Sequence, residues 1–231
     1  MRRKSFATVI LSAALIVSFF PRAAFSAQDE TATALKGSLT PDIFGSGEVM
    51  EFEVISGKST VEFIGTSLMH HFEGISHEPS GFTRVNFSDP RTTTVTTITV
   101  LVNSLKGIAL GLEKSDLSKN IHQNLESDKY PDITFKMTQI MPEKADTSDP
   151  SKRGYLLKGD LKIHNMTKTI VVTANTDIKD GFLHVTGEYD NLNMTDYGVE
   201  PKPLMAFIRV NDIVDIKFDL YEGMKKGAPV Q

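Results

Sequence analysis

The sequence predicts an all-β protein: an antiparallel closed barrel or sandwich with one short helix. Three observations lead there. Runs of Val, Ile, Thr and Phe place apolar residues at every second position, short turn-forming links separate consecutive runs, and a single stretch shows four-residue apolar spacing. Period two sets one face of each run against a core and the other in water. Regular strand–helix alternation, the pattern of a parallel βαβ sheet, is missing.

The runs follow in order. Val61 and Phe63 alternate with Glu62, and Ile98, Val100 and Val102 alternate with Thr97, Thr99 and Leu101. Ile133, Phe135 and Met137 alternate with Thr134, Lys136 and Thr138, the clearest inside–outside pattern in the chain. Leu161 and Ile163 alternate with Asp160 and Lys162; near the end Val214, Ile216, Phe218 and Leu220 alternate with Asp215, Lys217 and Asp219. Residues 164–168 join a strand over 157–163 to one over 169–176, and Lys179-Asp180-Gly181 leads into a strand over 182–188. Links this short favour antiparallel neighbours. Residues 143–153, flanked by Pro142 and Pro150, read as a long surface loop. The helix falls near residues 115–125, where Leu117, Ile121 and Leu125 share a face behind Ser115 as cap, and Tyr130-Pro131 restarts the extended chain.

The N-terminus has its own signature. Met1-Arg2-Arg3-Lys4 precedes an uncharged apolar run from Phe6 to Phe20, then Pro21 and the small-residue stretch ending at Ala27. This is the layout of a secretory signal peptide over residues 1–26, which predicts export to the periplasm or beyond and a mature chain without a membrane span. Residues 27–49, rich in Thr, Ala, Gly and Ser, are expected to be a flexible segment, residues 50–222 the β domain and residues 223–231 a tail. The chain has no cysteine, so disulfides and zinc–thiolate sites are excluded. Without residues 1–26 the charge is 21 basic against 29 acidic residues, net −8, which carries no nucleic-acid footprint.

Enzyme signatures are weak. Adjacent His70 and His71 would point to opposite faces of a strand, His77 lacks a recognised ligand spacing with Glu73 and Glu78, His122 is expected in solvent, and His184 on an edge strand carries no signal. No serine sits in a nucleophile elbow and no glycine-rich phosphate cradle occurs. Glu51 and Glu53 share a strand face in a charged region and read as solvated, and Asp196 reads as a turn former. No catalytic residue, metal ligand or cofactor is expected.

Four blocks resemble the YceI-like family. Glu113-Lys114-Ser115-Asp116, with Leu125 and Lys129-Tyr130-Pro131-Asp132-Ile133-Thr134-Phe135-Lys136, is similar to its "EKRD … KYPxITFK" core. Lys158-Gly159-Asp160-Leu161-Lys162-Ile163-His164-Asn165-Met166-Thr167-Lys168 is similar to its "xGDLTIHGVTK" hairpin, Asp196-Tyr197-Gly198-Val199 to its "DFGI" turn, and Asp212-Ile213-Val214-Asp215-Ile216 to its last strand. The blocks lie in order within residues 59–220. Ser115, Asn124-Leu125 and, in the hairpin, Asn165, Met166 and Thr169 depart from the family's residues.

The resemblance implies a lipocalin-like eight-stranded antiparallel barrel whose apolar interior holds a polyisoprenoid or isoprenoid quinone in a secreted or periplasmic protein. The lining is then expected from Val61, Phe63, Ile98, Val100, Val102, Ile133, Phe135, Met137, Leu161, Ile163, Val214, Ile216 and Phe218. His164 either shapes its turn or makes a polar contact at the barrel end. The alternatives are a barrel enzyme acting on a lipid and a ligand-free structural or stress-response protein; a homodimer is compatible with the sequence.

Overall fold

The computed structural model describes residues 39–67, 71–143, 153–200 and 210–225. The predicted signal peptide, His70 and most of the loop at residues 143–153 lie outside them. Among the described residues the chain forms β1 (Met50–Val54), β2 (Thr60–Ser67), β3 (His71–Ser76), β4 (Ser80–Val85), β5 (Val95–Leu101), β6 (Lys106–Ala109), β7 (Leu112–Glu113), β8 (Asp132–Pro142), β9 (Arg153–Ile163), β10 (Met166–Lys179), β11 (Phe182–Asn193) and β12 (Val210–Met224). Every pairing is antiparallel. Eight strands, in the order β1-β4-β5-β8-β9-β10-β11-β12, close into a barrel when β12 meets β1.

Closure depends on the length of β12. Its C-terminal end pairs with β1 (Phe52↔Met224, Val54↔Glu222), while its earlier part pairs with β2 (Phe63↔Ile216, Val61↔Phe218). From β2 the sheet continues through β3, β6 and β7 as an extension of the wall. The helix Ser115–Asn124 packs on β6: Ser118 Oγ accepts the Gly107 N–H at 2.8 Å, and Leu117 and Ile121 are buried. A side chain at Gly107 would collide with Leu117 and the helix backbone, so this glycine permits the close approach.

Tight turns set the register of the long strands. Asp180 and Gly181 both take positive φ (53° and 79°) between β10 and β11, as a two-residue hairpin turn of the primed type requires. Between β9 and β10 the link is shorter than the five residues expected: Ile163 pairs with Met166 across His164-Asn165, with His164 at φ 53°.

Several expectations are revised. Order begins before Met50: Pro41–Gly45 forms a 3₁₀ turn, and Phe44 packs with Phe52, Val85 and Leu183 at one barrel end. At the other terminus β12 runs through Gly223 to Met224, and Lys225 pairs with Glu51 and Glu53, so the tail begins later than 223. Ser115 is the first helical residue, and Lys114 holds the cap position without a side-chain bond. His122 is half-buried, its Nε2 2.8 Å from the Leu105 carbonyl oxygen. His184 lies on an interior strand, not an edge. It is buried, its two ring nitrogens each 2.9 Å from a carboxylate oxygen, of Asp177 and Asp219.

An apolar lumen as the candidate binding site

Inward-facing residues of a barrel alternate along each strand, and about eight strands enclose either a packed core or room for one small ligand. Here the interior is hollow. Two chambers, of about 110 and about 160 Å³, remain open along it. Val61, Val100, Ile133 and Ile216 line both, so the chambers meet at a shared waist. The upper chamber lies under the helix, against Leu117, Ile121 and Leu125; the lower reaches Val85, Phe87 and Leu183 beside the cluster that stoppers the other end.

The hollow has a cause in the sequence. Several inward positions are glycines with an aromatic ring laid across them. Phe63 pairs with Gly74 and Phe72 with Gly65 in the same two strands, and a methyl group on Gly74 would come within 2.1 Å of the Phe63 ring. Phe218 lies over Gly187 and Phe135 over Gly159 in the same manner. Rings lying against the wall leave the axis free.

The expected lining residues fall as follows. Val61, Phe63, Val100, Ile133, Ile163, Val214 and Ile216 line the upper chamber. Ile98, Phe135, Met137, Leu161 and Phe218 line the lower one together with the shared set. Lys136, between Phe135 and Met137, is exposed. Val102 is the exception. The strand ends at Leu101, the chain enters a 3₁₀ turn, and Val102 is buried outside both chambers, donating its N–H to the Pro131 carbonyl.

His164 also lies outside the lining. It is buried in its turn, stacked on Tyr130 at 4.7 Å between centroids, and its Nε2 has no hydrogen-bond partner. Of its two expected roles, shaping the turn is the one its φ fits.

Several lining residues were absent from the expectation. Ile170, Val172, Ala174 and Thr176 alternate along β10 with exposed residues between them, a period-two signal present in the sequence. Tyr197, lining the upper chamber, has its phenol pushed up to about 12 by burial.

Glu222 is the residue that departs most from its surroundings. It continues the inward series Val214, Ile216, Phe218, Leu220 by one more step, into the lower chamber, and is 1% exposed. Thr83 Oγ1 donates to its Oε1 at 3.1 Å and lies 3.2 Å from Thr96 Oγ1. Its Oε2 has no partner. Burial pushes the carboxyl up to about 8, against the lowering effect of the Thr83 bond, so the group is neutral at pH 7. An orphaned buried polar atom costs about 1–3 kcal/mol.

No Lys, Arg or His lines either chamber among the described residues. No group of three or more metal-ligating side chains occurs among them, and none of their helices is long and apolar enough to cross a membrane.

The YceI-like domain model matches residues 52–221, nearly the whole of this barrel. The chain belongs to the YceI-like family. Among solved structures, Burkholderia cenocepacia BcnA is similar at 20% identity and a TM-score of 0.60, covering 73% of this chain and 98% of BcnA. A polyisoprenoid binding domain from Saccharophagus degradans, implicated in plant cell wall breakdown, is similar at 12% identity and a TM-score of 0.57, covering 76% of this chain and 99% of that domain. At these identities the likeness shows a shared barrel fold. No curated protein sequence matches the chain.

Proposed function

We propose that this YceI-like protein is an exported carrier or sequestering protein that holds one isoprenoid lipid, a polyisoprenoid or an isoprenoid quinone, along the barrel lumen. The two apolar chambers, which share Val61, Val100, Ile133 and Ile216 along one barrel interior, carry the proposal. From Val214 to Glu222 the inward face of β12 follows that interior for about 26 Å, eight residues at roughly 3.3 Å each. A long branched hydrocarbon suits such a channel. Each buried methylene contributes about 0.8 kcal/mol, so chain length alone gives tight binding without a charged anchor. The S. degradans relative, described as polyisoprenoid binding, supports the same ligand class. The signal-peptide layout of residues 1–26 supports action in the periplasm or outside the cell.

Binding rather than turnover is the reading that the lumen chemistry favours. Its titratable side chains are Glu62, Glu222 and three tyrosines, and Glu222 touches only Thr83 among side chains that can hydrogen-bond it. No nucleophile–base pair faces the channel among them.

Native mass spectrometry of the protein purified from its own host, followed by solvent extraction, tests the proposal. One polyprenyl lipid per chain is expected. Protein that emerges without lipid, and takes up none from added prenylquinone, would end it.

A further inference from the structure

We propose that Glu222, held by Thr83 near Thr96, docks a neutral, oxygen-bearing head group of the bound isoprenoid, a carbonyl or a hydroxyl, at the stoppered end of the lumen. This rests on the carrier function above and adds which head group the lumen takes and where.

Position is the first ground. Glu222 stands where period two demands an inward residue, in a channel otherwise faced by Val, Ile, Leu and Phe on this strand. A carboxyl there is disfavoured unless it has partners, and folding supplies only one hydroxyl to one of its oxygens. Oε2 is left over, in a residue that is fully buried yet borders an open chamber.

Charge is the second ground, and it selects the head group. A diphosphate needs Arg, Lys or a metal-binding cluster to replace its hydration, and the described lining has none. A quinone carbonyl or prenol hydroxyl has the opposite fit: a protonated carboxyl can donate one hydrogen bond to it, and Glu222 is the strongest donor in this chamber. Thr83 holds Oε1 as acceptor, which orients Oε2 to carry the proton.

The tail then runs toward the waist at Ile216 and Val61 and into the upper chamber beneath the helix. The head lies beside Glu222, and the last isoprene units lie nearest Leu117 and Ile121.

Two probes separate this inference from the carrier function: a long-chain prenylated benzoquinone and the hydrocarbon squalene, titrated into the delipidated mature protein. For E222L the quinone affinity is expected to fall about tenfold, the scale of one lost hydrogen bond, while squalene stays within about twofold. E222Q, which keeps a neutral donor of the same shape, should hold the quinone within about threefold. The infrared carbonyl stretch of the bound quinone gives a readout independent of affinity, lowered in wild type and E222Q and restored in E222L. Should E222L fail to fold, the wild-type stretch decides alone, and a carbonyl at its hydrogen-bond-free frequency overturns the inference. Equal loss of both lipids in E222L, or loss of neither, also overturns it. If neither lipid binds wild type, the carrier function itself fails and this inference with it.

Discussion

The unligated protein is expected to lose stability as pH rises across the neutral range, and Glu222 is the reason. Its carboxyl ionises near 4.5 in an unfolded chain and at about 8 in the barrel, because ionising it in place strands a charge among apolar side chains. The folded state therefore binds more protons than the unfolded state between those two values. Stability from this group is fully present below pH 4.5 and is lost as pH climbs through 8. Over the whole window the loss approaches roughly 5 kcal/mol, from about 1.4 kcal/mol for each pH unit.

The groups facing Glu222 do not offset it. Its cross-strand neighbours are Val54 and Leu183, its hydrogen-bond partner is the uncharged Thr83, and the other titratable side chains lining the same chamber are the phenols of Tyr155 and Tyr189. Urea denaturation of wild type and E222Q, both delipidated, at intervals from pH 5 to pH 9 measures the effect. The wild-type midpoint should fall relative to E222Q with rising pH. A wild-type minus E222Q difference that stays constant, or that grows in favour of wild type, would refute the burial of an unpaired carboxyl.

Three further outcomes follow from the same geometry. Phe63→Asp places an unpaired charge against the lumen and should abolish lipid retention in folded protein, whereas His71→Ala or His164→Ala should cost no more than about 1–2 kcal/mol of binding; lipid co-purified per mole of folded protein compares them, and complete loss on a histidine change would count against apolar burial as the source of affinity. Gly74→Val drives the Phe63 ring toward the axis and should both destabilise the barrel by about 1–3 kcal/mol and narrow the upper chamber, read as a lower melting temperature together with weaker lipid uptake; unchanged uptake would show that the ring does not border the ligand. Protein recovered from the exported fraction should begin between Ala24 and Gln28, and an intact mass retaining Met1 would remove the basis for export.

Much of this barrel is legible in its sequence, because a strand with one apolar and one wet face must alternate. Ile133, Phe135 and Met137 show that alternation plainly and line the lumen, with Lys136 outside. Periodicity does not say where a strand stops. Val102 keeps the rhythm of Ile98 and Val100, yet the backbone has already turned, with the Leu105 N–H bonded to the Val102 carbonyl. Nor can it supply partners brought by register: His184 reads as idle until Asp177 arrives directly opposite on β10 and Asp219 diagonally on β12. The hollow was expected only through the family resemblance, since periodicity cannot show Gly65 and Gly74 facing rings of the neighbouring strand. Glu222 was within reach. Extending the series from Val214 by one step past Leu220 puts a carboxyl inside, but an apolar run that meets a Glu invites the conclusion that the strand is over.

Occupancy of the lumen is the central claim, and a photoreactive polyprenol carrying a diazirine along its tail tests it directly. After irradiation of the folded complex, peptide mapping should place the label on the segments bearing Val61, Val100, Ile133 and Ile216, the residues that line both chambers. Excess unlabelled prenylquinone should remove it. Label confined to the outward residues of β9 and β10, or label that competition does not displace, would contradict a lipid held inside this barrel.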